Sequence, residues 1–229
     1  MRIRNFCYTQ SMNKATENFV KKLDTDENVL GVILFGSWAR GNNRPNSDVD
    51  LIIIQKEGMQ RCVETHDDQV FEIVYTTPNE ALKFWQENKD GCYGLWSVAK
   101  IILDKDGAVE KLREKGQEVI NQGKPSINEK QRGQLLFDKE DKLRYIKETL
   151  DSDKTTAALV LNQMVFEMTG LYFDLRQQWS PAPKQCLVEI GNKSPGLAEL
   201  LKTFYFTNET PMKIEAVESM LPIVFGDQV

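Results

Sequence analysis

Residues 29–54 read VLGVILFGSWARGNNRPNSDVDLIII and contain two apolar runs separated by a polar segment. The first run, Val29–Phe35, is rich in β-branched residues and ends at a glycine, as buried strands often do. The second run, Val49–Ile54, is equally apolar and predicts another buried strand. The Gly, Asn and Pro residues at positions 41–46 predict a loop between them.

The two ends of this loop carry residues with a clear chemical use. Gly36 lets a phosphate approach the backbone closely. Ser37 adds a hydroxyl donor, and the residues after it can start a short helix whose N–H groups attract anions. Asp48 and Asp50 stand two positions apart at the start of the second strand, so their side chains point to one face. Two carboxylates opposite a phosphate cradle are suited to Mg²⁺.

A third carboxylate is available from a later strand. Glu72 is the charged residue of an otherwise apolar run at residues 70–75, and it can face the same site if its strand lies beside that of the aspartates. Three carboxylates can hold two metal ions about 4 Å apart, and Glu72 could also accept a proton from an attacking hydroxyl. An edge-facing or ion-paired strand residue is the alternative interpretation.

These motifs together resemble the signature of the DNA polymerase β-like nucleotidyltransferase superfamily. Gly36–Gly41 has the form Gly-Ser-x-Ala-Arg-Gly, which is similar to the minimal and antibiotic nucleotidyltransferases of that superfamily. Nine residues separate the Gly36-Ser37 pair from Ser-Asp-x-Asp-Leu at Ser47–Leu51. The resemblance covers about residues 12–107.

The resemblance implies a role for each matched residue. Asp48, Asp50 and Glu72 would be the metal ligands and catalytic carboxylates. Gly36 and Ser37 would contact the triphosphate of ATP or another NTP.

Two basic residues are further candidates for nucleotide binding. Arg40 could place its charge on the nucleotide, or it could be an ordinary helix-surface arginine. Lys184, after the Trp-x-Pro-x-Pro segment that begins at Trp179, could reach the triphosphate or the acceptor. The favoured interpretation of Lys184 is a solvated lysine that follows a helix stop.

The pattern of apolar residues predicts an α+β fold with two domains. Residues 1–125 are expected to form a nucleotidyltransferase domain with a mixed β-sheet flanked by helices, and residues 126–229 an all-α helical bundle. The Gly-Pro segment at Gln122–Ser126 is the predicted linker. By resemblance, the bundle would bind the acceptor or form a homodimer. Further predicted elements are helices at 12–24, 78–87, 108–120, 135–151, 155–178, 195–206 and 211–221, a turn at 64–68 and a strand at 101–103.

Composition narrows the class of protein. The chain has 229 residues and a formal net charge of −5. It has no apolar run of the roughly 20 residues that span a bilayer and no secretory leader pattern at its start, so we expect a cytoplasmic protein without membrane segments. Its four cysteines are scattered, as suits a reducing compartment. A net acidic chain argues against nucleic acid as partner.

The resemblance, together with the three carboxylates and the phosphate cradle, implies a Mg²⁺-dependent nucleotidyltransferase. It would transfer a nucleoside monophosphate, AMP from ATP, to a hydroxyl of a small molecule such as an aminoglycoside- or lincosamide-type antibiotic, with release of pyrophosphate. A protein adenylyltransferase of antitoxin type and a non-catalytic nucleotide-binding or interaction module are the alternatives.

Glu167, which is polar on a mostly apolar helix, is interpreted as a hydrogen-bonded buried glutamate, with an acceptor-side acid as the alternative.

Overall fold

The computed structural model describes residues 12–226 and divides, between Gln122 and Gly123, into two units. The boundary predicted from the sequence, after residue 125, lies three residues later. The first unit combines helices with a sheet, and the described part of the second unit contains helices only. The α+β fold class is therefore confirmed, whereas the acceptor-binding or dimerisation role of the second unit stays a prediction.

Ten elements make up the described part of the first unit. In chain order they are α1 (Lys14–Thr25), β1 (Val29–Phe35), α2 (Gly36–Arg40), β2 (Val49–Gln55), β3 (Gln60–His66), β4 (Gln69–Thr76), α3 (Pro78–Glu87), α4 (Lys89–Trp96), β5 (Lys100–Asp104) and α5 (Ala108–Asn121). The strands form one sheet in the order β3-β4-β2-β1-β5. β2 and β4 run parallel and the other neighbours are antiparallel, so the sheet is mixed.

The central strands are buried on both faces, which is why their sequences are almost continuously apolar. On β2, Leu51 and Ile53 pack into the core that includes α1, while Ile54 packs with residues of α3, α4 and α5. Side chains alternate along a strand, so Asp50 shares the face of Ile54. The sheet therefore presents Asp50 on the side opposite α1.

The β3–β4 hairpin corrects the prediction of a turn at residues 64–68. β3 continues through His66, and the turn consists of Asp67 and Asp68, both with positive φ (49° and 61°). Two such residues are typical of the tight turn that joins antiparallel strands. β3 lies at an edge of the sheet, and its sequence QRCVETH is mostly polar instead of forming an apolar run, so the sequence does not predict it.

The described helices of the second unit form around their own core. They are α6 (Glu129–Thr149), α7 (Lys154–Asp174), α8 (Pro183–Lys193), α9 (Pro195–Phe206) and α10 (Thr210–Phe225). Met164, Phe204 and Val217 are fully buried in that core. The sequence does not predict α8, because Pro181 and Pro183 are typical of a helix stop. The structure places Pro183 in the first turn of α8, where proline is favoured.

Glu167 on α7 is hydrogen-bonded, as interpreted from the sequence, but its side chain is partly exposed rather than buried, and its partners are lysines. Lys139 and Lys142 of α6 both donate to its carboxylate, the latter at 2.8 Å, and Gln163 donates at 2.9 Å. Lys139 is only 6% exposed. Burial alone would raise the pKa of Glu167, but the hydrogen bonds from Lys139, Lys142 and Gln163 outweigh it and lower that pKa to about 2.

Replacement of Glu167 with Gln is expected to destabilise the protein in a pH-dependent way. At pH 7 the variant leaves the ammonium of Lys139 buried without its counter-charge, at a cost of about 2 kcal/mol. A depressed carboxyl pKa contributes stability above the unfolded-state value, here 4.5, that is lost as pH falls towards 2. The difference from wild type in the free energy of unfolding, measured with urea, should therefore shrink between pH 4.5 and pH 2.

A matched control for this experiment is Glu199→Gln, which removes an exposed pair with Lys202. Such surface pairs contribute little, so its cost should stay below about 1 kcal/mol. An equal cost of Glu167→Gln at pH 7 and at pH 2.5 would contradict the assignment.

None of the helices within residues 12–226 is both long enough and apolar enough to cross a bilayer.

Candidate metal and nucleotide site

The junction of β1 and α2 requires a glycine at position 36. Gly36 has a φ of +67°, and a Cβ built on it would lie 1.7 Å from Oδ2 of Asp50. Phe35 pairs with Asp50 across the β1–β2 ladder, so the chain after Phe35 passes directly against that carboxylate. A residue with a side chain would meet both backbone strain and a steric clash here.

The sheet brings the three predicted carboxylates together. Asp50 and Glu72 are register partners on the parallel strands β2 and β4. Asp48 precedes β2 by one residue and lies on the same face as Asp50. Each of the three offers a ligand oxygen, and these oxygens lie within 4.8 Å of one another. Asp48 is exposed, whereas Asp50 and Glu72 are partly buried.

Arg61 on β3 belongs to this site although the sequence did not indicate it. Its Nε donates to Oε1 of Glu72 at 3.0 Å, and its Nη2 donates to the same oxygen. The other carboxylate oxygen, Oε2, takes part in neither bond. Glu72 is therefore ion-paired, as its alternative interpretation held, and is also a member of the carboxylate cluster. Because the sequence does not predict β3, it gives no register between β3 and β4. The position of Arg61 beside Glu72 therefore does not follow from the sequence.

The chemistry of the cluster fits a divalent cation. Closely spaced carboxylates repel one another, and a bound cation relieves that repulsion. The donor atoms are all oxygens, the ligand type that Mg²⁺ prefers, and Mg²⁺ is commonly bound by one or two carboxylates together with substrate phosphates. Asp48, Asp50 and Glu72 would hold such an ion.

The remaining predicted residues lie at different places. Ser37 and Arg40 are in α2, beside Gly36, and both are partly buried. Lys184 is exposed in the first turn of α8 in the second unit. The roles of Ser37, Arg40 and Lys184 in nucleotide binding stay predictions.

Comparisons with known proteins agree with this arrangement in the first unit. Residues 16–118 match the model of the nucleotidyltransferase domain family. A relative named "Putative protein adenylyltransferase", from Methanocaldococcus jannaschii, is 28% identical over 127 residues, which are 50% of this chain and 86% of the relative.

Two solved structures are similar at lower sequence identity. One is a nucleotidyltransferase-like protein from Exiguobacterium sibiricum, with 13% identity, coverage of 93% of this chain and 73% of that one, and a TM-score of 0.48. The other is a spectinomycin adenyltransferase from Enterococcus faecialis, with 17% identity, coverage of 92% and 98%, and a TM-score of 0.34.

The match over residues 16–118 and the sequence relative point to the same activity. Residues 16–118 of this chain therefore match a nucleotidyltransferase domain, and this match together with the sequence relative supports a nucleotidyltransferase enzyme.

Proposed function

We propose that this chain is a Mg²⁺-dependent enzyme that transfers AMP from ATP to a hydroxyl group of an acceptor. The observation that carries the proposal is the cluster of Asp48, Asp50 and Glu72, whose ligand oxygens lie within 4.8 Å of one another. Gly36 adds a second feature, because its backbone approaches Asp50 without a side chain in between.

The reaction is an in-line displacement at the α-phosphorus of ATP. The acceptor oxygen forms a new bond to that phosphorus, the bond to the oxygen that bridges the α- and β-phosphates breaks, and pyrophosphate leaves with the bonding electrons. The proton of the hydroxyl passes to the carboxylate of Glu72. Bound Mg²⁺ supplies charge neutralisation for the phosphates, and catalysis of this kind depends mainly on positioning.

The chain's own residues divide this work. Asp48, Asp50 and Glu72 hold the cation, and Gly36 and Ser37 contact the β- and γ-phosphates. Arg61 fixes the orientation of Glu72 through Oε1, which keeps Oε2 available for the cation or the proton. Arg40 is an additional contact to the nucleotide.

The acceptor is proposed to be a small hydroxylated molecule, of the aminoglycoside or lincosamide type. The helical second unit is part of the same chain and can contribute an acceptor site. The net charge of −5 would attract a cationic acceptor.

A protein hydroxyl is the second candidate acceptor. It is favoured by the sequence relative from Methanocaldococcus jannaschii, whose name describes a protein adenylyltransferase. Both candidate acceptors would use the same metal and nucleotide site. The two are therefore distinguished by which molecule, a small molecule or a protein, receives the labelled AMP.

We further propose a cytoplasmic location and leave a homodimer as one option for assembly. Cys62, Cys92 and Cys186 of the described chain are thiols, not disulfides. Thiols are typical of the reducing compartment in which ATP is abundant.

The proposal is tested by following the α-phosphate of the nucleotide. Wild type and the Asp48→Asn/Asp50→Asn double variant are incubated with Mg²⁺, with each of the four α-³²P-labelled NTPs, and with antibiotics or cell lysate. We expect transfer from ATP by wild type only. Label on a small molecule supports the first acceptor, and label on a protein band supports the second. Metal-dependent nucleotide binding with no transfer to any acceptor would overturn the proposal and favour a nucleotide-binding module.

A further inference from the structure

The backbone just before Asp48 is held by side chains from two other elements. The carbonyl oxygen of Ser47 accepts a hydrogen bond from Nε2 of Gln69 at 2.9 Å and one from Nε1 of Trp38 at 3.4 Å. Ser47 also closes a turn with Arg44 through a backbone bond of 3.0 Å and a side-chain bond of 2.8 Å. The loop that delivers Asp48 is therefore fixed at its last residue.

Asp48 depends on this support more than the other two carboxylates do. Asp50 and Glu72 lie within β2 and β4, where the ladder sets their positions. Asp48 precedes β2 and is exposed. Its place in the cluster is thus determined by how the chain at Ser47 is held.

Gln69 is in turn oriented by the residue that caps α1. Nδ2 of Asn13 donates to Oε1 of Gln69 at 2.8 Å, and Oδ1 of Asn13 accepts from the backbone N–H of Thr16 at 2.8 Å. A backbone N–H can only donate and a carbonyl can only accept. The series of hydrogen bonds begins at the N–H of Thr16 and ends at the carbonyl of Ser47. These two groups fix the orientation of both side-chain amides, so the NH₂ group of Gln69 must point to Ser47. We name the chain from Thr16 through Asn13 and Gln69 to Ser47 the amide relay.

The start of the amide relay is itself held against the β3–β4 hairpin. Nδ2 of Asn18 donates to Asp67 at 2.9 Å, and Phe19 stacks on His66 with ring centroids 4.4 Å apart. Helix α1 is thereby attached to the hairpin at further points besides Asn13. A fixed helix is what allows its cap to orient Gln69.

We propose that the amide relay positions Asp48 for metal binding, with Gln69 and Asn13 as positioning residues of the nucleotidyltransferase site. This inference rests on the proposed function, because it needs Asp48 as a metal ligand. Residues that orient metal ligands from outside commonly affect metal affinity 10- to 100-fold.

The test uses Mn²⁺ as probe, in the presence of a non-hydrolysable ATP analogue, with affinity measured by calorimetry. Gln69→Met keeps the length of the side chain but cannot donate, and we expect Mn²⁺ to bind about 10-fold more weakly. Asn13→Ser keeps a good helix cap but is too short to reach Gln69, and a smaller loss in the same direction is expected. The matched control is Asn128→Ser, which changes the cap of α6 and should leave Mn²⁺ affinity unchanged.

A double-mutant cycle separates positioning from general stability. In an Asp48→Asn background, Gln69→Met should weaken Mn²⁺ binding no further, because the ligand that the relay positions is already removed. Additive losses of Mn²⁺ affinity would assign Gln69 a purely structural role and overturn the inference. Wild-type Mn²⁺ affinity in Gln69→Met would also overturn it. The proposed function would survive either result. If wild type itself fails to bind Mn²⁺ with the analogue, the proposed function and the inference are both wrong.

Discussion

Replacement of Asp50 with Asn is expected to abolish nucleotidyl transfer while the fold stays intact. Asn has nearly the same shape as Asp and can occupy the same position beside Glu72 in the β2–β4 register. It removes one of the three negative charges of the cluster, together with a ligand oxygen that would hold a divalent cation. Loss of a single electrostatic contact to a transition state costs 10²- to 10³-fold, so we expect a loss of about 10³-fold in transfer of α-³²P label.

The control for Asp50→Asn is Asp68→Asn. Asp68 stands in the β3–β4 turn with a φ of 61°, a conformation that asparagine tolerates well. This variant also removes one negative charge from the first unit but lies outside the carboxylate cluster, so it should keep wild-type transfer. Circular dichroism should show the same folded state for both variants. Transfer by Asp50→Asn within 10-fold of wild type would contradict the proposed role of Asp50.

Replacement of Gly36 with Ala is the second change for which we expect a large effect. The added Cβ would lie 1.7 Å from Oδ2 of Asp50, so either the carboxylate or the backbone must move. The φ of +67° adds about 1–2 kcal/mol of strain for a residue with a side chain, and the steric clash adds about 1–3 kcal/mol. We expect the free energy of unfolding to fall by about 3 kcal/mol and label transfer to be lost.

Gly41 provides a close control for Gly36. It also has a positive φ, +75°, but a Cβ built there meets nothing within 4 Å. Gly41→Ala should therefore show the backbone strain alone, about 1–2 kcal/mol, with transfer largely retained. In addition, Gly36→Ala should lower the free energy of unfolding by less in an Asp50→Ala background, because the carboxylate that its Cβ would meet is absent there. Equal costs for Gly36→Ala and Gly41→Ala would show that contact with Asp50 is not what requires a glycine.

The site could be predicted from the sequence as far as local rules reach. The two-residue spacing of Asp48 and Asp50 places them on one face of a strand, and the apolar run around Glu72 predicts a neighbouring strand. The structure confirms that all three come together. Their chemical roles, and those of Gly36 and Ser37, stay predictions.

The contacts that complete the site could not be predicted in this way. Arg61 reaches Glu72 across a hairpin whose first strand is at the sheet edge and has a mostly polar sequence. Asn13 reaches Gln69 over 56 positions of sequence. Both contacts depend on tertiary packing. Periodicity and residue spacing describe only neighbouring positions in the sequence, so they do not predict such contacts.

The second unit shows the same division between local and tertiary information. Periodicity predicts the long helices, and the charge of Glu167 on an apolar helix indicates a hydrogen-bonded residue, but its lysine partners on α6 depend on how the helices pack. α8 was missed because a proline can end one helix or begin the next, and only the packed structure decides between them.

The most direct test of the proposed metal and nucleotide site is a crystal structure with Mn²⁺ and a non-hydrolysable ATP analogue, with data collected at the manganese absorption edge. We expect anomalous peaks about 2.1 Å from carboxylate oxygens of Asp48, Asp50 and Glu72, with the triphosphate against Gly36. A bound nucleotide whose manganese lies away from these three carboxylates would contradict the proposed site.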